Sequence, residues 1–139
     1  MRKLNTVIMT AITVACLGMS TAFADVYMTG KEVAALVVGN TIEGQYRECT
    51  VGRKDFSEFY DEGGTIRGRE RECRMAGTWT TYGGSWKVED GKFCVNLGSD
   101  RASGCFDYQV DEGGTLRRFN DEGAADLTFE IYDGNPNHL

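Results

Sequence analysis

The chain offers three sets of side chains capable of chemistry: cysteines, paired carboxylates and a row of arginines. Its single histidine, His138, stands beside the C-terminus. That removes Ser-His-Asp triads, histidine zinc sites and most histidine acid–base pairs. His138 itself reads as a tail residue without fixed structure. No C-x-x-C occurs, which argues against a thiol redox site or a zinc ribbon. The paired acids are Asp61-Glu62 and Asp111-Glu112, each followed by two glycines. Two acids can hydrolyse a glycoside, and a carboxylate-rich rim can hold calcium. Beside glycines, however, acids are favoured for conformational reasons. Asp61-Glu62-Gly63-Gly64-Thr65-Ile66-Arg67 recurs as Asp111-Glu112-Gly113-Gly114-Thr115-Leu116-Arg117, so the repeat reads as a reused turn. The expectation is a non-enzyme with no catalytic residue, no metal site and no cofactor.

The N-terminus looks like an export signal. Arg2 and Lys3 precede an uncharged stretch, Thr6 to Met19, made apolar by Val7, Ile8, Met9, Ile12, Val14 and Leu17. Ala22-Phe23-Ala24 then fits small-x-small cleavage after Ala24. The apolar run is shorter than the ~20 residues of a membrane-spanning helix, so no transmembrane segment is expected. Cys16 follows Thr13-Val14-Ala15, a loose match to a lipoprotein site. Apolar residues continue past it and Thr13 replaces the usual aliphatic residue, so Cys16 reads as part of the signal. Removing residues 1–24 from 139 leaves 115, enough for one domain over 25–139. The signal holds two bases and no acid, so the net charge of −6 becomes −8. An acidic surface disfavours nucleic acid and anionic membrane as partners.

One helix is expected near the start of the mature chain. Thr29-Gly30-Lys31-Glu32 matches a capping box, Val33, Leu36 and Val37 form an apolar stripe, and Gly39-Asn40 end it. The remainder reads as β-structure. Candidate strands are 41–49, 54–60, 65–74, 77–81, 84–89, 92–97, 104–110, 115–119 and 126–132, separated by turn residues. The fold class is therefore mainly β: a small antiparallel meander barrel, lipocalin-like or related, of about eight strands with one short N-terminal helix. Alternation places Phe93, Val95 and Leu97, Phe106, Tyr108 and Val110, Trp86 and Val88, and Leu127, Phe129 and Ile131 in the core.

Four cysteines remain after cleavage: Cys49, Cys73, Cys94 and Cys105. An even count in a small exported domain implies two disulfides. Setting Cys94 opposite Cys105 leaves Gly98-Ser99-Asp100-Arg101 as the hairpin loop and puts Phe93 opposite Phe106 on the core face. Opposed positions on antiparallel strands lie close enough to bridge. By remainder, Cys49 pairs with Cys73.

Residues 67–74 alternate arginine and glutamate, which a half-buried strand should not do. They read as a charged edge that blocks aggregation, or as a binding surface with Arg67, Arg69 and Arg71 in a row. Trp79, Tyr82 and Trp86, with Phe56, Phe59 and Tyr60, are candidates to line a cavity or rim. A narrow barrel interior favours ordinary core packing for them.

Two stretches carry a resemblance. Thr29-Gly30-Lys31-Glu32-Val33 through Gly39-Asn40-Thr41, and Gly84-Ser85-Trp86-Lys87-Val88-Glu89-Asp90-Gly91-Lys92-Phe93-Cys94 with Cys105, are similar to a family of small exported alphaproteobacterial proteins catalogued as a domain of unknown function. The resemblance implies a periplasmic or secreted β-barrel and brings no activity with it. The charged strand and the Cys49/Cys73 pair are not part of that pattern. The functional expectation is a non-enzymatic binding module for a small ligand or a protein partner. The alternatives are an accessory envelope protein acting through its charged surface, or a periplasmic hydrolase inhibitor. The residues expected to form the ligand or partner surface are Arg67, Arg69, Arg71, Trp79, Tyr82 and Trp86.

Overall fold

A two-turn helix does not persist alone in water, and the structure shows what holds this one. In the computed structural model, which describes residues 26–46, 55–71, 78–99, 101 and 103–139, α1 runs from Gly30 to Val37. Thr29 caps it as expected. The Thr29 amide donates to Glu32 Oε2 at 2.7 Å, and the Glu32 amide donates to Thr29 Oγ1 at 3.3 Å. The Gly30 amide donates to the Gly91 carbonyl at 2.7 Å. A Cβ at Gly30 would stand 2.6 Å from the Lys92 carbonyl oxygen, so only glycine lets the helix seat here. Val33 and Val37 are buried. Gly39, at φ +80°, turns the chain out of the helix and donates to the Tyr60 carbonyl.

Eight strands follow: β1 (Thr41–Tyr46), β2 (Phe56–Tyr60), β3 (Thr65–Glu70), β4 (Thr80–Glu89), β5 (Lys92–Asn96), β6 (Gly104–Val110), β7 (Leu116–Phe119) and β8 (Ala125–Tyr132). Each pairs antiparallel with the next, and β8 pairs with β1 from Thr41–Tyr132 to Tyr46–Leu127. The meander is a closed barrel, so among the described residues no strand edge is left to recruit another chain. Helix α1 packs on β4 and β5 and closes one end.

The expected strands 77–81 and 84–89 are one strand. Gly83 and Gly84 do not turn; they pair with Arg67 and Ile66 of β3. A Cβ at Gly84 would lie 2.5 Å from the Asn96 carbonyl oxygen, so this glycine serves close approach of β5. The repeated turn has the expected design. The Asp61 side chain accepts from the Gly63 amide, and the Asp111 side chain accepts from the Gly113 and Thr115 amides. Asn120 builds the same turn a third time, accepting from Glu122 and Ala124.

Cys94 faces Cys105, with Phe93 opposite Phe106 and Val95 opposite Gly104, and the two sulfurs are bonded. The register is the expected one, but the loop is longer. The ladder stops at Val95–Gly104, because the Ser103 hydroxyl takes the Leu97 amide at 2.9 Å in place of a backbone carbonyl. Cys49 and Cys73 lie outside the described residues, as does the segment 1–24.

The core contains Ile42, Phe56, Ile66, Phe93, Val95, Tyr108, Leu116 and Phe129 around Val33 and Val37. Val88 and Val110, expected in it, are 37% and 45% exposed. Both stand near strand ends beside a turn. The C-terminal tail is also more ordered than expected. Asn137 donates to Glu43 Oε1 and Ser57 Oγ at 2.6 and 2.8 Å, pinning the tail to the outer wall of β1 and β2. Exposed His138 belongs to that fixed segment.

Candidate functional site: the barrel cavity

Alternation sends every second side chain of a barrel strand inward. Here the inward set does not fill the space, and a cavity of about 480 Å3 remains. Val33, Val37, Ile42, Phe93, Leu116 and Phe129 supply its apolar lining. Two glycines shape it. Gly44 sits under the Phe56 ring, where a Cβ would approach within 2.5 Å, and Gly68 sits under the Tyr82 ring with even less room.

Five ionisable side chains other than tyrosines also line the cavity: Glu58, Glu70, Arg101, Arg118 and Asp126. Four of them form two ion pairs. Arg118 grips Asp126 with two nitrogens, Nε to Oδ1 at 3.0 Å and Nη2 to Oδ2 at 2.6 Å, and lies over the Phe106 ring. Arg101 Nη2 donates to Glu70 Oε1, and its guanidinium lies over the Tyr82 ring at 4.3 Å. Glu70 ends β3, Asp126 is near the start of β8, and Arg101 is in the β5–β6 loop. Those positions belong to the barrel end opposite α1, so both pairs ring the cavity's mouth.

Glu58 is different. It is 5% exposed, halfway along β2, between Phe56 and Tyr60 on the inner face. The Tyr60 hydroxyl donates to its Oε2 at 2.7 Å, and the Tyr82 hydroxyl donates to Oε1 at 2.6 Å. Burial raises its pKa above the ordinary carboxylate value. The two phenol hydrogen bonds and the Arg118 charge oppose that rise, and the Glu70 charge adds to it. Burial, with the Glu58 charge, pushes the Tyr60 phenol well up. Burial likewise raises Tyr108. Both tyrosines therefore remain protonated donors at physiological pH.

The six residues expected to form a binding surface divide between two sides of the wall. Tyr82 lines the cavity. Trp86 points inward but belongs to the closed end. It stacks on Phe93 with ring centroids 5.6 Å apart, and its Nε1 donates to the Asp61 carbonyl. Arg67, Arg69, Arg71 and Trp79 lie outside. The arginines alternate with inward Ile66, Gly68 and Glu70. The Trp79 ring is held between the guanidiniums of Arg69 and Arg71, each 4.6 Å from its centroid. Arg67 lies over Phe59 and faces Asp61 at 3.9 Å. The row of arginines is thus a stacked outer ladder, separate from the cavity.

Sequence reading passed over Glu58, Glu70, Arg101, Arg118 and Asp126. Strand parity would have found three of them. Glu58 shares a face with Phe56 and Tyr60, Glu70 with Ile66, and Arg118 with Leu116, so each is a charged residue at an inward position. Asp61 and Asp111, weighed as acids or cation ligands, are occupied as turn caps. Asp111 also faces Arg117 at 3.5 Å, and its pKa is lowered, first by the Thr115 amide. Among the described residues, Glu89, Cys94 and Cys105 lie at metal-ligand spacing, but the disulfide consumes both sulfurs. No helix among those residues is long and apolar enough to cross a membrane.

Comparison with known protein families, curated proteins and solved structures gives no match.

Proposed function

We propose that this chain is a non-enzymatic ligand-binding protein of the cell envelope, whose barrel carries one small, largely apolar molecule with a polar end. The observation that carries this reading is the cavity of about 480 Å3, apolar within and ringed by ion pairs at its mouth. Small-molecule sites have this size and this mixture of apolar walls with a few placed polar groups. A barrel of purely structural use would fill its interior with side chains. Export fits the bonded Cys94–Cys105 pair, since disulfides persist in oxidising compartments. It also fits the N-terminal signal and the resemblance to exported barrels.

The test is titration with N-phenyl-1-naphthylamine, a neutral apolar probe whose fluorescence rises out of water. The expected result is saturable binding of one probe per chain, abolished by Leu127→Trp, which fills the cavity from β8. Non-saturable binding, or binding unchanged by that variant in a folded protein, would sink the reading.

A second reading is favoured by the Arg69–Trp79–Arg71 stack on the outer wall. There the protein is an accessory factor that presents this ladder to an acidic partner. Crosslinked capture from periplasmic extract, compared between the wild type and Trp79→Ala, tests it: a partner lost from the variant supports it. Equal capture by both removes it.

A further inference from the structure

The ligand's polar end can be deduced from the charges inside the barrel. Three acids and two arginines line the cavity. Both arginines already face an acid: Arg118 faces Asp126 and Arg101 faces Glu70. An anionic ligand would have to compete with those carboxylates for its cations. The third acid, Glu58, has no cation within salt-bridge distance among the described residues. Its bonded neighbours are the neutral hydroxyls of Tyr60 and Tyr82. A carboxylate offers about four acceptor positions on its two oxygens. The tyrosines use one on each oxygen, which leaves room for further donors.

The walls next to this carboxylate also suit a cation. The Tyr60, Phe93 and Tyr108 rings also border the cavity, and an aromatic face attracts positive charge, more so away from water. A buried carboxylate without a counter-cation is costly, and a cation brought by a ligand offsets that cost. An ammonium group is the simplest match, with three donors and no acceptor.

Building on the ligand-binding reading, we propose that the cavity selects an apolar molecule bearing a protonated amine, with the ammonium seated on Glu58 and the hydrocarbon against Val33, Val37, Leu116 and Phe129. Glu58 is then the residue that sets specificity, because both cavity arginines are already neutralised by Glu70 and Asp126. The raised pKa of Glu58 is consistent with this, because burial outweighs the two phenol hydrogen bonds and the Arg118 charge.

The test compares three probes of equal chain length, octylamine, octanol and octanoate, by calorimetry on the folded protein near neutral pH. Octylamine is expected to bind at least about tenfold more tightly than octanol, with octanoate weakest; tenfold corresponds to ~1.4 kcal/mol. Glu58→Gln should bring octylamine to the level of octanol while changing octanol less than about twofold. If octanol or octanoate outranks octylamine in the wild type, the amine assignment is wrong, whatever the variant does. An amine preference that survives Glu58→Gln would also overturn it, because attraction to the acidic outer surface would then explain the ranking. If none of the three binds, the ligand-binding reading itself fails, and the assignment with it.

Discussion

Tyr82 donates its hydroxyl proton to Glu58 at 2.6 Å from a ring that lies over Gly68. The two halves of that contact come from neighbouring strands, since Gly68 of β3 pairs with Tyr82 of β4. The absence of a side chain at 68 is thus what lets a phenol reach a buried acid on β2. Tyr82→Phe keeps the ring and removes the donor. It should cost about 1–2 kcal/mol in denaturant unfolding, as expected for a hydrogen bond to a buried group. Gly68→Ala should cost more, about 1–3 kcal/mol from crowding alone in addition to the displaced hydroxyl. If alanine at 68 were neutral, the ring could not lie where it does.

Glu58 makes stability depend on pH in a definite sense. Its folded pKa is raised above the ordinary carboxylate value of 4.5, so between those two values the folded state holds the proton more tightly than the unfolded chain. Stability contributed by the protonated group is complete below the unfolded pKa and is lost as pH rises through the folded one. The wild type should therefore lose stability relative to Glu58→Gln as pH rises from 4.5 through the raised folded value. Paired urea titrations across that range measure the difference. A flat or rising difference contradicts the buried, uncompensated carboxyl.

The Cys94–Cys105 bridge closes a short loop, with a sequence separation of 11. Replacing both cysteines by serine should cost ~2–4 kcal/mol. Peptide mapping without reduction should recover Cys94 joined to Cys105. A peptide joining Cys49 to Cys94 would contradict the β5–β6 pairing.

The helix that closes the barrel rests on a cap and a contact. Thr29→Ala removes the cap and should cost about 1 kcal/mol. Gly30→Ala pushes a methyl group into the Lys92 backbone, so it should undock the helix and open that end of the cavity. Hydrogen exchange at the Val33 amide, which donates to the Thr29 carbonyl at 3.0 Å, should quicken in both variants and more in Gly30→Ala. Equal protection in all three proteins would show that the barrel holds the helix without either feature.

Local rules made much of this protein legible. The capping box, the Asp-Glu-Gly-Gly turns and the Cys94–Cys105 register each depend on residues close in sequence, where turn length and parity leave few choices. The break expected between strands 77–81 and 84–89 misled for a reason of the same kind. Gly83 reads locally as a turn residue, whereas it continues β4 opposite Arg67. Parity could place Glu58 and Arg118 on the inner face, but it could not say whether that face meets packed atoms or open space. That depends on how eight strands close and how far apart opposite walls stand. Closure brings Glu58 of β2 to Tyr82 of β4, Arg118 of β7 to Asp126 of β8, and a loop arginine, Arg101, to Glu70 of β3. It also turns Arg67, Arg69 and Arg71 away from all of them. The amino-acid sequence alone determined most of the strands and most of the faces they bury, though not the continuity of β4 or the exposure of Val88 and Val110. The cavity, and the Glu58 carboxylate that meets only phenols among its described neighbours, exist only in the closed barrel, because an enclosed volume belongs to all the strands at once and to no single stretch of chain.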